Sequence, residues 1–315
     1  LIVLRELFYL PSTIFSIAKI RRAHPDISIA HINDIQDFLS AFLIKKLLRI
    51  PVVIHIRGPL MRRHGFRHKF LMWALKNSVN QVIAIDETVR DSLGANVSVK
   101  VIHNGFIIND QPRRVKPPQQ LVVGMVSSLL RFKGVLEFVE AARICKEQGL
   151  NIKFSILGGR ENLGSNVIDK VLRFIGLQHE IEKDVLSRIE RYNIQDIFSL
   201  YPFTEKIDNF YQTISVLCFP SHINAVGRPV FEAGFYRIPS IVAISNPKPD
   251  AITHMQTGLC IEEKNPENLA SAIKYFYNNP SEIDRMGENA NSLANKNYDI
   301  KKNAMKVLEV YSTLS

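Results

Sequence analysis

The chain has 315 residues, 46% of them hydrophobic and 22% charged, and carries a formal net charge of +10. That length accommodates two compact domains, and the balance is that of an ordinary globular chain, not a disordered or fibrous one. Three cysteines are too few for a disulfide scaffold, and no uncharged apolar run reaches the roughly 18 residues that a membrane-spanning helix needs.

The opening stretch, LIVLRELFYLPSTIFSIAKI, is apolar but interrupted by Arg5, Glu6 and Pro11, and it lacks a small-residue cleavage site. Short β-branched runs follow at 27–32, 52–56, 81–85 and 99–103. Between them, 38–48, 70–77 and 87–93 have helical spacing. Strand–helix alternation predicts a parallel sheet with helices on both faces. Residues 1–110 hold 15 Lys and Arg against 8 Asp and Glu. Arg62, Arg63, Arg67 and Lys69 cluster there, interleaved with His64, His68, Phe66, Phe70 and Trp73. The cluster reads either as a solvated face or as a surface for an anionic membrane or a phosphorylated lipid acceptor. No nucleic-acid-binding signature accompanies it, so no nucleic acid is expected.

Residues 111–120 are polar and proline-rich and read as a linker. The α/β pattern then restarts, with strands at 121–126 and 152–157, a helix at 134–149, a charged helix-forming stretch at 161–193, a short strand at 197–201 and a short helix at 206–213. The segment 215–242, SVLCFPSHINAVGRPVFEAGFYRIPSIV, reads as buried strand, glycine-containing loop, helix and second buried strand. Asn265 and Pro266 mark the start of a further helix, as N-cap and first helical residue. The predicted organisation is an α/β fold of two Rossmann-like domains, 1–110 and 121–295, with a helix at 296–315 packing back on the first. Ligand crevices of open α/β sheets lie beyond the carboxyl ends of the strands, so two such domains are expected to face one cleft. Cys145, Cys218 and Cys260 form no metal-binding or redox spacing and read as buried free thiols of a reducing cytoplasm.

Several motifs occur in an order that resembles one family. PDISIAHIND, IPVVIHIRGPL, VIAIDETVRDSL, VKVIHNGFIIN, SSLLRFKGV, ILGGRE, the 215–242 segment and HMQTGLCIEEKNPENLASAI follow one another along the chain. Together they resemble the retaining GT-B glycosyltransferases of family 4, the glycosyl transferases group 1. The resemblance implies transfer of a hexose from a UDP- or GDP-sugar to a lipid-linked or saccharide acceptor in surface polysaccharide assembly, lipopolysaccharide included. It implies a cytoplasmic protein, peripheral at the inner face of the plasma membrane, with no cofactor beyond the donor substrate and no metal. The family pattern normally opens with a strand, a glycine-rich loop and a helix that do not precede PDISIAHIND here, so an incomplete first domain is expected.

On the donor side, Glu232 matches the second family glutamate, and a carboxylate suits a ribose diol. Asn224 stands where the first glutamate is usual. Lys133 matches the phosphate-binding lysine, and Ser128 takes the place of its usual arginine partner, with Arg131 on the same loop. Val226, Gly227 and Arg228 precede the helix, whose backbone N–H groups suit a diphosphate. Gly159 belongs to the turn after the second strand of this half. His222 reads either as a donor-side residue or as a loop residue in solvent. Arg57 holds the place of the family's cleft histidine; His55 lies on the same strand face as Arg57 and reads as a cleft residue or a packed histidine. Arg57, His55 and Asn224 are the candidates nearest the reacting centre. His31, Arg62, Arg63, Arg67 and Lys69 are assigned to the acceptor or membrane side. Two alternatives stay open, a relative that binds nucleotide sugar without turnover and a GT-B sugar epimerase.

Overall fold

A computed structural model describes residues 2–60, 65–94, 97–107, 120–158 and 180–314. The chain divides into two compact units: unit 1 is Leu1–Phe106 with Asn297–Ser315, and unit 2 is Ile107–Lys296. Of the proposed linker at 111–120, residues 111–119 lie outside the described residues.

Unit 1 runs α1 (Ile2–Ala23), β1 (Ala30–Ile32), α2 (Phe38–Leu47), β2 (Val52–Ile56), α3 (Phe66–Ser78), β3 (Gln81–Ala84), α4 (Glu87–Leu93) and β4 (Val99–Val101). Its sheet is parallel in the order β1-β2-β3-β4. Every residue of β2 is buried, which is why VVIHI reads as an unbroken apolar run with a single histidine. Asp86 caps α4, its carboxylate accepting from the Val89 N–H at 2.6 Å. The opening stretch, apolar but interrupted by Arg5, Glu6 and Pro11, is a 22-residue helix with Pro11 inside it. Proline removes one helical donor there, and the Ser12 and Thr13 hydroxyls both donate to the Tyr9 carbonyl, at 2.8 and 3.0 Å. The first strand begins at Ala30, three residues later than its β-branched run, because a turn at Pro25–Asp26 and an unpaired stretch precede it.

Unit 2 runs β5 (Leu121–Val126), α5 (Val135–Glu147), β6 (Ile152–Leu157), α6 (Glu180–Arg191), β7 (Phe198–Tyr201), α7 (Ile207–Thr213), β8 (Val216–Phe219), α8 (Arg228–Phe235), β9 (Ser240–Ala243), β10 (Gly258–Ile261), α9 (Pro266–Asn278) and α10 (Pro280–Asn297), whose end reaches the boundary with unit 1. Its sheet is parallel in the order β10-β9-β8-β5-β6-β7. Strand order therefore reverses between β5 and β8, which are neighbours through Val123–Val216 and Gly124–Leu217. The core on one side of the sheet centres on Phe138, Phe154 and Phe198, with ring centroids 5.7 to 6.3 Å apart. Asn265 caps α9 by accepting from the Asn268 N–H at 2.9 Å.

From α10 the chain returns to unit 1. Helix α11 (Ile300–Ser312) is capped by Asp299 and places Val310 in a buried cluster with Val53, Ile83 and Ile102. Asn303, 4% exposed, donates to the His103 carbonyl at 2.9 Å. Cys145 and Cys218 are buried free thiols and Cys260 is half-buried; burial raises all three thiol pKa values, that of Cys260 to about 11.

Candidate functional site

A parallel sheet presents a crevice where its strand order reverses, beyond the carboxyl ends of the two central strands. In unit 2 those ends are Val126 of β5 and Phe219 of β8. Residues 127–134 leave the first and residues 220–227 leave the second, so the two loops singled out in the sequence meet at one place. The backbone joins them. The Phe132 carbonyl accepts from the His222 N–H at 2.8 Å and from the Ser221 hydroxyl at 3.2 Å. Gly134 sits at φ 77°, and a Cβ there would lie 1.9 Å from the Pro220 carbonyl oxygen. Gly227 is also closely packed, though at an ordinary φ of -98°, since a Cβ would meet the Phe219 ring at 2.3 Å.

Lys133 ends a short 3-10 turn, and its Nζ lies 5.3 Å from the Phe132 ring centroid and 5.9 Å from that of Phe219. Aromatic faces on two sides favour the ammonium without neutralising it. Opposite, α8 starts at Arg228 after Gly227, which offers no side-chain cap to the helix. A helix end of this kind attracts anions through its N–H groups and dipole. Four residues into the helix, Glu232 is 12% exposed at its side chain. One carboxylate oxygen accepts from the Arg228 Nε at 2.6 Å, the other from the Tyr211 hydroxyl at 2.8 Å. Burial, and then the Glu232 charge, push the Tyr211 pKa far up, so this hydroxyl is a fixed donor. Tyr211 is itself stacked on Tyr236 at 5.0 Å. The carboxylate is thus oriented, and each oxygen keeps lone-pair capacity for further hydroxyls.

Around this centre, Asn224 accepts from the Ser245 N–H at 3.0 Å, tying the loop after β8 to the loop after β9 and leaving its amide N–H groups as donors. His222 is not a solvent residue: its Nε2 lies 2.9 Å from a Glu137 carboxylate oxygen, and the two side chains are 18% and 19% exposed. Arg131 turns outward, 65% exposed and 3.7 Å from Asp184 on α6. Ser128 shapes the β5 loop with its carbonyl, which accepts from the Leu130 N–H at 2.9 Å and from the Ser127 hydroxyl. Val226 lies in the same loop as Gly227. Ser221, 1% exposed, is occupied within the loop and offers no nucleophile. Gly159 lies outside the described residues.

Unit 1 has its own polar cluster at the carboxyl ends of its strands. Arg57 follows β2, and its Nε and one terminal nitrogen donate to the Asn33 side-chain oxygen at 3.0 and 2.6 Å. Its other terminal nitrogen donates to the Asn104 side-chain oxygen. Beneath it, His55 and His31 stack with ring centroids 5.6 Å apart. His31 Nδ1 bonds the Tyr311 hydroxyl of α11 at 2.5 Å. The structure thus assigns His55 to a packed position, 6% exposed. Lys69 lies exposed on α3; Arg62, Arg63 and the Arg67 side chain lie outside the described residues.

Both imidazoles are held in the neutral form. His55 is lowered to about 4, first by burial and then by the charges of Arg57 and His31; His31 is lowered by burial and then by Arg57. An unfolded histidine titrates near ~6.5, so below that pH the unfolded chain takes up protons that the folded chain refuses. The contribution of His55 to stability is therefore full above about pH 6.5 and is lost as pH falls toward about 4, by up to ~3 kcal/mol, and that of His31 is lost in the same direction. Urea unfolding at pH 7 and 4.5 should show a larger drop for the wild type than for His55→Gln. Equal drops would assign the acid sensitivity to other groups.

Comparison with known proteins decides the family. The model for glycosyl transferases group 1 matches residues 107–293. The chain belongs to this family. The model for glycosyltransferase family 4 matches residues 2–109 of this group 1 protein. It is 22% identical over 273 residues to the capsular polysaccharide biosynthesis glycosyltransferase CapM of Staphylococcus aureus, a match covering 80% of this chain. The match spans 66% of that relative's length, just under two thirds. A second relative, an uncharacterized glycosyltransferase of Haemophilus influenzae, is 24% identical over 42% of this chain and 37% of its own length. Among solved structures, the chain is similar to Anabaena HepE in complex with UDP, with a TM-score of 0.77 and 18% identity over 95% of this chain and 82% of that one. A glycosyltransferase from Rickettsia africae gives a TM-score of 0.77 at 19% identity, covering 96% and 80% of the two chains. These likenesses establish the α/β fold with two parallel sheets of the GT-B type. Among the described residues of this group 1 protein, no helix is long and apolar enough to cross a membrane.

Four residues of these clusters escaped the sequence reading as site members: Tyr211, Glu137, Asn33 and Asn104. Glu137 had a weak signal, four residues after Lys133 on the incoming helix. Tyr211 had none, being 21 residues from the carboxylate it orients.

Proposed function

We propose that this group 1 protein binds a nucleoside-diphosphate sugar in unit 2 and transfers the hexose to a lipid-linked or saccharide acceptor. The observation that carries the reading is the meeting of the Lys133 loop, the α8 start and the oriented Glu232 carboxylate at the reversal point of the second sheet. A diphosphate needs fixed positive charge, which Lys133 and the helix end supply, and a ribose diol needs two acceptors on one group, which Glu232 supplies. Three of the similar solved structures are Anabaena HepE with UDP, with UDP and glucose, and with UDP-glucose, which supports a uridine donor here as well. The leaving diphosphate is stabilised by charges and dipoles set in advance, so transfer is proposed to need no divalent metal; retention of the anomeric configuration is proposed from the resemblance to the family alone. The acceptor is assigned to unit 1, in surface polysaccharide assembly.

Calorimetric titration with UDP and UDP-glucose tests the donor reading. Lys133→Ala should weaken UDP binding by about 10-fold or more, the scale of one charge-assisted hydrogen bond. UDP binding unchanged in the variant would remove Lys133 from the diphosphate site. A binding-only relative is favoured by one feature, the Asn224 carbonyl being engaged by Ser245 at the place of a family glutamate. Donor binding with no sugar transfer to any acceptor would support that second reading.

A further inference from the structure

The geometry of unit 1 points to an anion site built from its own residues: we infer that Arg57, with Asn33 and Asn104, binds an oxyanion, a phosphate or a carboxylate carried by a substrate. Nothing in the donor reading requires this site, and it uses no residue of unit 2. Only the assignment of its ligand to the acceptor rests on that reading.

The three residues come from three strand ends of one sheet, Asn33 after β1, Arg57 after β2 and Asn104 after β4. That is the edge at which parallel α/β sheets take ligands. Each asparagine turns its carbonyl oxygen to the guanidinium. Their amide groups keep N–H donors, and the exposed guanidinium, with five N–H groups in all, has donors beyond the three used here. The cluster is therefore made of donors around one permanent cation, and among the described residues no carboxylate pairs with Arg57 to neutralise it. An arginine fixed by two neutral amides keeps its full charge and is pre-oriented for planar, two-point recognition of an oxyanion.

A second observation is independent of the arginine. His55 is 94% buried, its Nε2 has no hydrogen-bond partner, and the same holds for the Nε2 of His31 stacked on it. Buried ring nitrogens are normally satisfied, and an orphan pair beneath a cation calls for a ligand or an ordered water. Both imidazoles feel the Arg57 charge, so an anion on Arg57 would change their electrostatic surroundings. A hexose hydroxyl alone would leave the charge of Arg57 uncompensated, whereas an oxyanion matches it.

Pyrophosphate and glucuronate are the probes, added with the donor site saturated by UDP, and the imidazole proton resonances of His31 and His55 are the local readout. The expected result is a saturable shift of both resonances with one of the probes, weakened about 10-fold or more in Arg57→Gln and less in Arg57→Lys. Response to pyrophosphate alone would mark a phosphate-bearing ligand, and response to glucuronate alone an acidic sugar; either supports the site. Absence of any saturable shift, or shifts equal in Arg57→Gln with its melting temperature retained, overturns it. UDP binding is measured in the same samples: its loss in the wild type would count against the donor reading in unit 2 and leave the imidazole result intact.

Discussion

Glu232→Gln is expected to lower UDP affinity about 10- to 100-fold while leaving the melting temperature nearly unchanged. The carboxylate accepts from Arg228 and Tyr211 and retains acceptor capacity on both oxygens for a ribose diol. An amide has only one acceptor oxygen, so one hydroxyl loses its partner and one side of the group presents donors to donors. Losing hydrogen bonds to a charged group is worth ~1.5–3 kcal/mol each, which sets the predicted range. Calorimetry with UDP against a thymidine or ribose-free phosphate control separates the two contributions. If Glu232→Gln binds UDP as the wild type does, the ribose assignment is wrong. Glu232→Ala removes both acceptors and leaves the buried Tyr211 hydroxyl only its longer contact with the Pro229 carbonyl at 3.4 Å, so a loss of stability is expected in that variant and not in the glutamine one.

Gly134→Ala should damage the donor site through the backbone. The residue has φ 77° and ψ 24°, and a Cβ would approach the Pro220 oxygen to 1.9 Å. A left-handed alanine alone costs ~1–2 kcal/mol, and the contact is with main chain, which cannot rotate away. The loop after β8 must shift, and with it the Phe132 carbonyl bonds to His222 and Ser221 that join the two loops. A destabilisation of about 3 kcal/mol or more is expected, in the class of backbone-strain substitutions, together with loss of UDP binding at temperatures where the protein is still folded. Chemical denaturation and UDP titration of the same variant check both parts. Wild-type stability would show that the two loops do not bear on each other as described.

Much of the fold was legible because buried parallel strands advertise themselves. The 121–126 run is continuous and apolar, the 152–157 run is broken only by Lys153 and Ser155, and they coincide with β5 and β6. The opening helix was not legible, because Pro11 and the charges at 5 and 6 break the apolar pattern that a period-based reading follows. The residues of the donor loops were legible by type and spacing, since a helix start behind a glycine and a lysine-bearing turn are local features. Their partners were not. Tyr211 with Glu232, Glu137 with His222, and Asn33 with Arg57 are separated by 21, 85 and 24 residues, and pairing over such distances leaves no local trace. For His222 the outcome turned on this: its own neighbours in sequence are compatible with solvent, and only helix α5 supplies the carboxylate that holds it.

The return of the chain from unit 2 to unit 1 has a consequence for biosynthesis. A ribosome delivers residues in order, so all of unit 2, Ile107–Lys296, emerges before the stretch 297–315 that belongs with the first unit. Until then the face of the first sheet bearing Val53, Ile83 and Ile102 lacks Val310, and His31 lacks the Tyr311 hydroxyl. Completion of the first unit is therefore expected to wait for the end of the chain, against the usual sequence in which the N-terminal domain matures first during translation. A nascent chain arrested near residue 296 should carry a protease-resistant second unit behind a first unit that is still open to chaperones.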